Sequence, residues 1–103
     1  MPRVTASVVD WSSIVYTGHA LQRMFERAIS TDDVRSVLVA DRVIATYPDD
    51  RPHPSSLLLG FVAARPLHVV VGYDERTTIC YIITVYEPNP LLWEPGFARR
   101  RPS

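Results

Sequence analysis

The chain has 103 residues, with eleven arginines, no lysine and eleven acidic residues, so its formal net charge at pH 7 is zero. This length predicts a single domain over 1–103, and the 47% apolar content is that of a folded protein rather than a disordered one. A neutral chain is not a generic polyanion binder, so any contact with nucleic acid must depend on a local basic patch.

The lone cysteine and the hydropathy pattern exclude several classes of protein. Cys80 cannot form an internal disulfide or a paired-thiol zinc site, and its apolar surroundings predict a buried side chain. No apolar stretch approaches the roughly 20 residues of a membrane helix. The segment Met1–Thr5 lacks the basic and apolar parts of a signal peptide. We therefore expect a cytoplasmic protein that makes no contact with a membrane.

The first third of the chain predicts a short strand and a helix. A weakly patterned arm at 1–12 precedes an opening strand at Ser13–Tyr16. Thr17 offers a hydroxyl to cap a helix over Gly18–Ala28. Apolar residues at helical spacing form one stripe on this helix, namely Leu21, Met24, Phe25 and Ala28.

A second helix follows directly. Ser30 and the acidic residues behind it form a capping signal, because carboxylates in the first turn are stabilised by the helix dipole. The helix is expected to end near Ala40 and to bury Val34, Val37 and Leu38.

The rest of the chain predicts an antiparallel meander. Strands are expected at 43–47, 56–62, 67–73 and 78–86. The prolines of Pro48–Pro54 indicate a loop, and the turns are placed at 63–66 and 74–77. The fold class is therefore α+β, with two N-terminal helices on one face of a four-stranded antiparallel sheet and the short opening strand as an extra.

Past the last strand, the segment 87–103 is a proline-rich tail that ends in arginines. Its prolines exclude a regular strand or helix, and we expect Leu92, Trp93 and Phe97 to hold it against the core. The charge is unevenly distributed, because residues 1–50 carry five arginines against seven acids and residues 51–103 carry six against four.

The first candidate site lies on one face of the first helix. His19, Arg23 and Arg27 are spaced four residues apart, so they share a face away from the apolar stripe. Histidine exchanges a proton near neutral pH, and guanidinium groups match phosphate oxygens. The alternative is a solvated face whose arginines pair with Glu26 or Asp33.

A second candidate cluster joins two strands. His68 begins one strand and Tyr86 ends the next, with Thr84 on the same face as Tyr86. A three-residue turn would place His68 opposite Thr84, whereas a four-residue loop would place it opposite Ile83. The alternative role of His68 is structural, as a half-buried ring bonded to a threonine hydroxyl.

His53 is expected to be exposed in the proline-rich loop. The three histidines match no spacing of a metal-ligand motif, so neither a metal nor another cofactor is expected. The sequence contains no glycine-rich phosphate loop and no Gly-x-Ser-x-Gly elbow, which disfavours nucleotide-dependent and serine-hydrolase chemistry.

Several motifs in order resemble a small bacterial family known as domain of unknown function 4258. They are His-x-x-x-Arg-x-x-x-Arg at 19–27 with Ile29-Ser30, Tyr47, Leu-Leu-Leu-Gly at 57–60, Pro-Leu-His-Val-Val at 66–70, and Ile-Thr-Val-Tyr at 83–86 before Pro88 and Trp93. The resemblance covers about residues 14–100. This family is in turn similar to proteins with the RelE-like fold, in which helices pack on an antiparallel sheet.

The resemblance implies the toxin of a type II toxin–antitoxin pair, a metal-independent endoribonuclease whose partners are RNA and an antitoxin, expected to be a small zinc-finger protein. His68 or His19 would then serve as base and acid, with Arg23 and Arg27 stabilising the phosphate. Base stacking or orientation would fall to Tyr86 and Tyr47. The RNA backbone would be held by Arg99, Arg100 and Arg101.

A competing hypothesis is a non-enzymatic interaction module that binds a partner protein through the open sheet face and the Pro48–Pro54 loop. The residues His19, Arg23 and Arg27 would then only tie the first helix to the sheet. A third hypothesis is a small-ligand pocket between the first helix and the sheet. An uncovered edge of the meander also favours pairing with a second copy as a homodimer.

Overall fold

A mixed five-stranded sheet carries two helices on one face. The computed structural model describes residues 13–102, and the predicted arm at 1–12 lies outside them. The elements in chain order are β1 (Ile14–Tyr16), α1 (Gly18–Arg27), α2 (Thr31–Ala40), β2 (Val43–Tyr47), β3 (Ser55–Val62), β4 (Arg65–Asp74) and β5 (Ile79–Tyr86).

The sheet has the strand order β1-β5-β4-β3-β2. The last four strands pair antiparallel, as predicted, whereas β1 pairs parallel with β5 so that Ile14 lies opposite Cys80. All four predicted antiparallel strands and the opening strand are present, and the opening strand joins the sheet as a fifth, parallel strand that makes it mixed. The partner of β1 was not predictable because this pairing joins distant parts of the chain.

Helix α1 begins where predicted but buries a narrower stripe than its pattern suggests. The Thr17 hydroxyl accepts a hydrogen bond from the backbone N–H of Ala20 at 3.1 Å, which confirms the cap. Ala20 and Met24 enter the core. Leu21 and Phe25, which belong to the predicted apolar stripe, are 50% and 90% exposed, because α1 packs mainly on β5 and only its Ala20–Met24 row meets the sheet.

Helix α2 matches its prediction closely. Ser30 and Asp33 form a reciprocal capping box, with hydrogen bonds of 3.0 and 2.9 Å. Val34, Val37 and Leu38 are buried, as expected. They pack over β3 and β4.

The hairpin between β3 and β4 is tighter than predicted. Its turn contains only Ala63 and Ala64, both at positive φ, as a two-residue hairpin of type I′ requires. Arg65 and Pro66 therefore belong to β4 rather than to the turn. Proline is tolerated there because β5 pairs with β4 only from His68 onward, so the outer side of Pro66 is a strand edge.

A bulge in β5 sets the register of the last hairpin. The loop contains the four residues 75–78, and Ile83 is an extra residue between the pairs Val71–Ile82 and Val70–Thr84. His68 consequently lies opposite Tyr86, so both predicted partners, Thr84 and Ile83, are wrong. Neither the later loop position nor the bulge was apparent from the alternation of residues.

The core lies between the helices and one face of the sheet. Strand residues on this face include Leu58, Leu67, Val69 and Val85, which join the buried residues of both helices. Gly60 faces Val37 so closely that an added Cβ would lie 2.7 Å from the Cγ2 atom of Val37 and 3.1 Å from its Cα. The glycine is therefore what lets α2 approach β3.

The opposite face of the sheet is partly covered by the tail. Trp93 and Arg100 form an isolated antiparallel bridge, and the Trp93 ring packs edge-on against His68 with centroids 4.5 Å apart. Phe97 also reaches His68, through its carbonyl oxygen. Leu92, the third predicted anchor, is 45% exposed and so does not hold the tail against the core as predicted.

We expect Gly60→Ala to lower the free energy of unfolding by about 1–3 kcal/mol, because the added methyl group overpacks the α2–β3 contact. Urea denaturation monitored by circular dichroism measures this change. The matched control is Gly18→Ala, since nothing lies within 4 Å of a Cβ at that position. Equal stabilities of the two variants would contradict the close approach.

Candidate functional site

A cleft of about 440 Å³ opens between α1, the end of β5 and the tail. Five of the residues assigned a catalytic or RNA-binding role from the sequence line it, namely His19, Arg23, Arg27, Tyr86 and Arg100. Their assembly depends on three separate segments: one face of α1, the last residue of β5 and the returning end of the tail. The cleft is thus a tertiary arrangement of residues that lie up to 81 positions apart.

His19 lies at the mouth of the cleft, on the first turn of α1. Its Nε2 atom is 3.1 Å from the Oγ1 atom of Thr84, and its side chain is otherwise exposed. This contact exists because β1 ends at Tyr16, which leaves the second half of β5 without a neighbouring strand on that side. A hydroxyl can donate or accept, so Thr84 holds the imidazole in place without fixing its protonation state.

The arginines of the cleft are differently engaged. Arg23 forms a half-exposed ion pair with Glu26 at 3.4 Å, one of the two partners considered from the sequence. The Arg27 and Arg100 guanidinium groups make no hydrogen bond or ion pair within residues 13–102. Arg100 lies over the Trp93 ring, with its Cζ atom 5.9 Å from the ring centroid. Two cationic groups are therefore available to an anion.

Arg65 links the C-terminal end of α1 to Glu87 at the cleft, and no motif in the sequence marks it for this role. Its guanidinium donates to the carbonyl oxygens of Arg27 and Ala28 at the end of α1, where a cation also suits the helix dipole. The Nε atom of the same group donates to Glu87 at 2.6 Å. This pairing compensates the one carboxylate that lines the cleft.

His68 lies beneath the cleft and has no exposed surface. Its Nε2 atom is 2.8 Å from the Phe97 carbonyl oxygen, which can only accept, so this nitrogen carries the proton. Its Nδ1 atom therefore accepts from the Tyr86 hydroxyl at 3.2 Å. Burial lowers the pKa of His68, and the Phe97 carbonyl only partly opposes this effect, so the ring is held neutral.

Tyr86 connects this buried ring to the cleft. Burial raises the pKa of its phenol, the charge of an ionised Tyr47 adds to that effect, and nearby Arg100 opposes it. The hydroxyl therefore stays protonated and donates a hydrogen bond to the Nδ1 atom of His68. The ring edge of Tyr86 also contacts the imidazole, with centroids 5.2 Å apart.

Three predicted residues lie outside the cleft. Tyr47 belongs to β2, the edge strand at the far end of the sheet from β1, and its side chain is 41% exposed. Arg99 is exposed in the tail, and the Nε atom of Arg101 donates to the Pro90 carbonyl at 2.9 Å. The sequence missed Asn89 and Trp93 as lining residues, because only the folded tail brings them to α1.

Two other side chains that could be reactive, His53 and Cys80, do not line the cleft. His53, expected to be exposed, is half-buried and stacks on Tyr81 with centroids 5.4 Å apart. Cys80 is buried as predicted, and burial raises the pKa of its thiol to about 11. Within residues 13–102, no three His, Cys, Asp or Glu side chains form a group suited to a metal ion.

The fold and the cleft define a small α+β protein with a basic, histidine-bearing groove at one end of a mixed sheet. A family model described as domain of unknown function (DUF4258) matches residues 16–87, so the chain belongs to this family. Neither the curated proteins nor the solved structures gave a match. In the part of the chain that the structure describes, no helix is long and apolar enough to cross a membrane.

The neutral burial of His68 predicts a dependence of stability on pH. Because its pKa lies below the unfolded value of 6.5, the unfolded chain binds a proton that the folded chain does not. The stabilisation is complete above pH 6.5 and declines as the pH falls toward the folded pKa, with a limiting slope of about 1.4 kcal/mol per pH unit. Urea denaturation between pH 5 and 7 measures it.

The matched comparison is between His68→Gln and His53→Gln. The first variant should lose this slope, and the second should retain it, since it leaves His68 and both of its hydrogen-bond partners in place. The same slope in wild type and His68→Gln would show that His68 is not the group responsible.

Arg65→Ala should lower the free energy of unfolding by about 1–3 kcal/mol, because it leaves two carbonyls of α1 and the Glu87 carboxylate without their donor. Arg65→Lys should recover little of this loss, since one ammonium cannot span all three acceptors. Arg76→Ala, in the exposed turn after β4, is the control and should change stability by less than about 0.5 kcal/mol. Thermal and urea denaturation distinguish these cases.

Proposed function

We propose that this chain is the toxin of a type II toxin–antitoxin pair and acts as a metal-independent endoribonuclease. The observation that carries the proposal is the cleft that gathers His19, Arg23, Arg27, Tyr86 and Arg100. Cleavage of RNA through its own 2′-hydroxyl needs a proton acceptor, a proton donor and positive charge on the phosphate. The cleft offers all three without a metal ion.

His19 is the proposed acid–base group, because it is the imidazole that opens to the cleft. It accepts the proton of the 2′-hydroxyl as that oxygen attacks the adjacent phosphorus. The bond between phosphorus and the 5′-oxygen then breaks, and the protonated imidazole returns the proton to this leaving oxygen. The products are a 2′,3′-cyclic phosphate and a free 5′-hydroxyl.

Arg27 and Arg100 are proposed to bind the phosphate as its negative charge increases, since neither guanidinium has an ion-pair partner within residues 13–102. Arg23 is available as well, because a half-exposed pair such as Arg23–Glu26 contributes little stability and exchanges easily for a phosphate. Forked guanidinium groups suit this role better than ammonium groups would.

His68 is proposed to position Tyr86 rather than to transfer a proton. Both of its ring nitrogens are already bonded, and neither faces the cleft. Tyr86 then presents its ring to a base of the RNA, and Trp93 widens that aromatic surface. The base contact assigned to Tyr47 stays a prediction. Arg99 and Arg101 are the chain neighbours of Arg100, which lines the cleft, and they would attract the RNA backbone.

A second candidate function is a protein-interaction module, and one observation favours it. Phe25 is 90% exposed and Leu21 50% exposed, one helical turn apart on the outer side of α1. A large aromatic side chain held in water is typical of a contact surface. This surface also suits an antitoxin, so it does not by itself separate the two functions.

Induced expression in a bacterium tests the proposal. The wild-type chain should arrest growth and cleave RNA. His19→Ala should lower the cleavage rate of the purified protein by about 10²- to 10⁴-fold, the usual contribution of a general acid–base group. Arg27→Ala should lower it as well, because the phosphate then loses an unpaired cation.

Arg76→Ala is the control for Arg27→Ala, since it removes an exposed arginine far from the cleft in the β4–β5 turn. Cleavage must also persist in excess chelator. Absence of both arrest and cleavage in wild type would reject the ribonuclease and favour the interaction module. Cleavage unaffected by His19→Ala would reject only the assignment of the base.

A further inference from the structure

A second cleft, of about 390 Å³, lies on the same face of the sheet as the first. Gly72 and Tyr81 line it and form a cross-strand pair. Gly72 lies two residues from Val70 and four from His68 along β4, so all three share one face of the sheet. Thr84 and Tyr86, the cross-strand partners of Val70 and His68, line the first cleft.

The two clefts are neighbours along β5. Tyr81 and Ile83 line the second, while Thr84 and Tyr86 line the first. From Tyr81 to Tyr86 the sheet advances about 13 Å, because their cross-strand partners Gly72 and His68 lie four residues apart at roughly 3.3 Å per residue. Thr17, before α1, borders the second cleft and His19, in its first turn, borders the first. Both clefts therefore reach the start of α1, although they share no lining residue.

The chemistry of the second cleft differs from that of the first. Its lining is mostly apolar, and its charged residues are one cation, Arg51, and one anion, Asp50. The Asp50 carboxylate already accepts a hydrogen bond from the Ser55 hydroxyl at 2.5 Å. A neutral, apolar cleft does not suit a phosphate but does suit a flat, uncharged ring.

An aromatic stack forms one side of this cleft. The His53 and Tyr81 rings are nearly parallel, at 12°, with centroids 5.4 Å apart. Gly72 keeps the floor open, because a side chain there would project toward the Cδ1 atom of Ile83. Stacking of a nucleobase on such rings contributes about 1–3 kcal/mol per base and is independent of net charge.

We infer that the second cleft is a nucleobase seat, which holds an unpaired base of a single-stranded RNA whose phosphate lies in the neighbouring basic cleft. This inference rests on the proposed function, which places an RNA phosphate in the basic cleft. It accounts for how a chain of zero net charge binds RNA: the arginines position one phosphate, and stacking supplies affinity that electrostatics alone does not. Arg51, which makes no hydrogen bond or ion pair within residues 13–102, lines this cleft and would face the RNA backbone beyond the base.

The experiment measures binding of a fluorescein-labelled five-nucleotide RNA by anisotropy. The RNA is 2′-O-methylated throughout, so that it cannot be cleaved by its own hydroxyls. A series of the same RNA carries one abasic nucleotide at each position in turn. We expect one abasic position to weaken binding to the wild-type chain by about 5- to 100-fold.

Gly72→Val fills the seat and should bind the intact RNA as weakly as wild type binds the critical abasic one, with no further loss on removing that base. Thr46→Val is the control, because it places the same valine side chain at an exposed strand position outside both clefts. If circular dichroism shows that Gly72→Val does not fold, Tyr81→Leu takes its place. It removes the aromatic ring and should give the same binding result.

Two outcomes would overturn the proposal that the second cleft binds a nucleobase. One is equal binding of every abasic RNA by the wild-type chain, and the other is an unchanged abasic pattern in both seat variants. A mononucleotide that competes as tightly as the five-nucleotide RNA would also overturn it, in favour of a site for free nucleotides. Unmodified RNA, assayed alongside, separates the two proposals: cleavage without base dependence rejects only the seat, and base-dependent binding without cleavage rejects only the ribonuclease.

Discussion

The burial of the His68 imidazole is the constraint on which the cleft depends. A polar ring without solvent contact must have both nitrogens hydrogen-bonded, because an unsatisfied buried polar group costs about 1–3 kcal/mol. The two partners are the Tyr86 hydroxyl of β5 and the Phe97 carbonyl of the tail. One ring therefore joins the sheet to the tail, and the tail carries Trp93 and Arg100 to the cleft.

The second determinant is the geometry at the edge of β5. The bulge at Ile83 shifts the register by one residue, which brings Tyr86 opposite His68 and turns Thr84 toward His19. The short parallel strand β1 covers only the first half of β5, so α1 approaches the second half directly. Without these two features the histidine and arginines of α1 would share a helix face but not a site.

The same face of the sheet carries two clefts of different chemistry. One is basic and holds an open imidazole, whereas the other is apolar, nearly neutral and bordered by stacked rings. In the proposed function, the charged phosphates of an RNA would suit the basic cleft and its flat bases the apolar one. Net charge alone gives no hint of this division, since the eleven arginines balance the eleven acids over the whole chain.

Local patterns in the sequence determined most of the secondary structure. The caps at Thr17 and Ser30, the buried residues of α2 and the four meander strands depend on neighbours within a few residues, so their signals are readable along the chain. The common face of His19, Arg23 and Arg27 follows from helical spacing for the same reason.

Only the tertiary structure decided which residues meet. The parallel pairing of β1, the exposure of Phe25, the register of His68 and the fold of the tail all depend on contacts between segments far apart in the chain. A bulge changes register without changing composition, and burial of one helix face depends on what packs against it. The sequence therefore determined the chemical groups of the cleft, and long-range packing decided their arrangement.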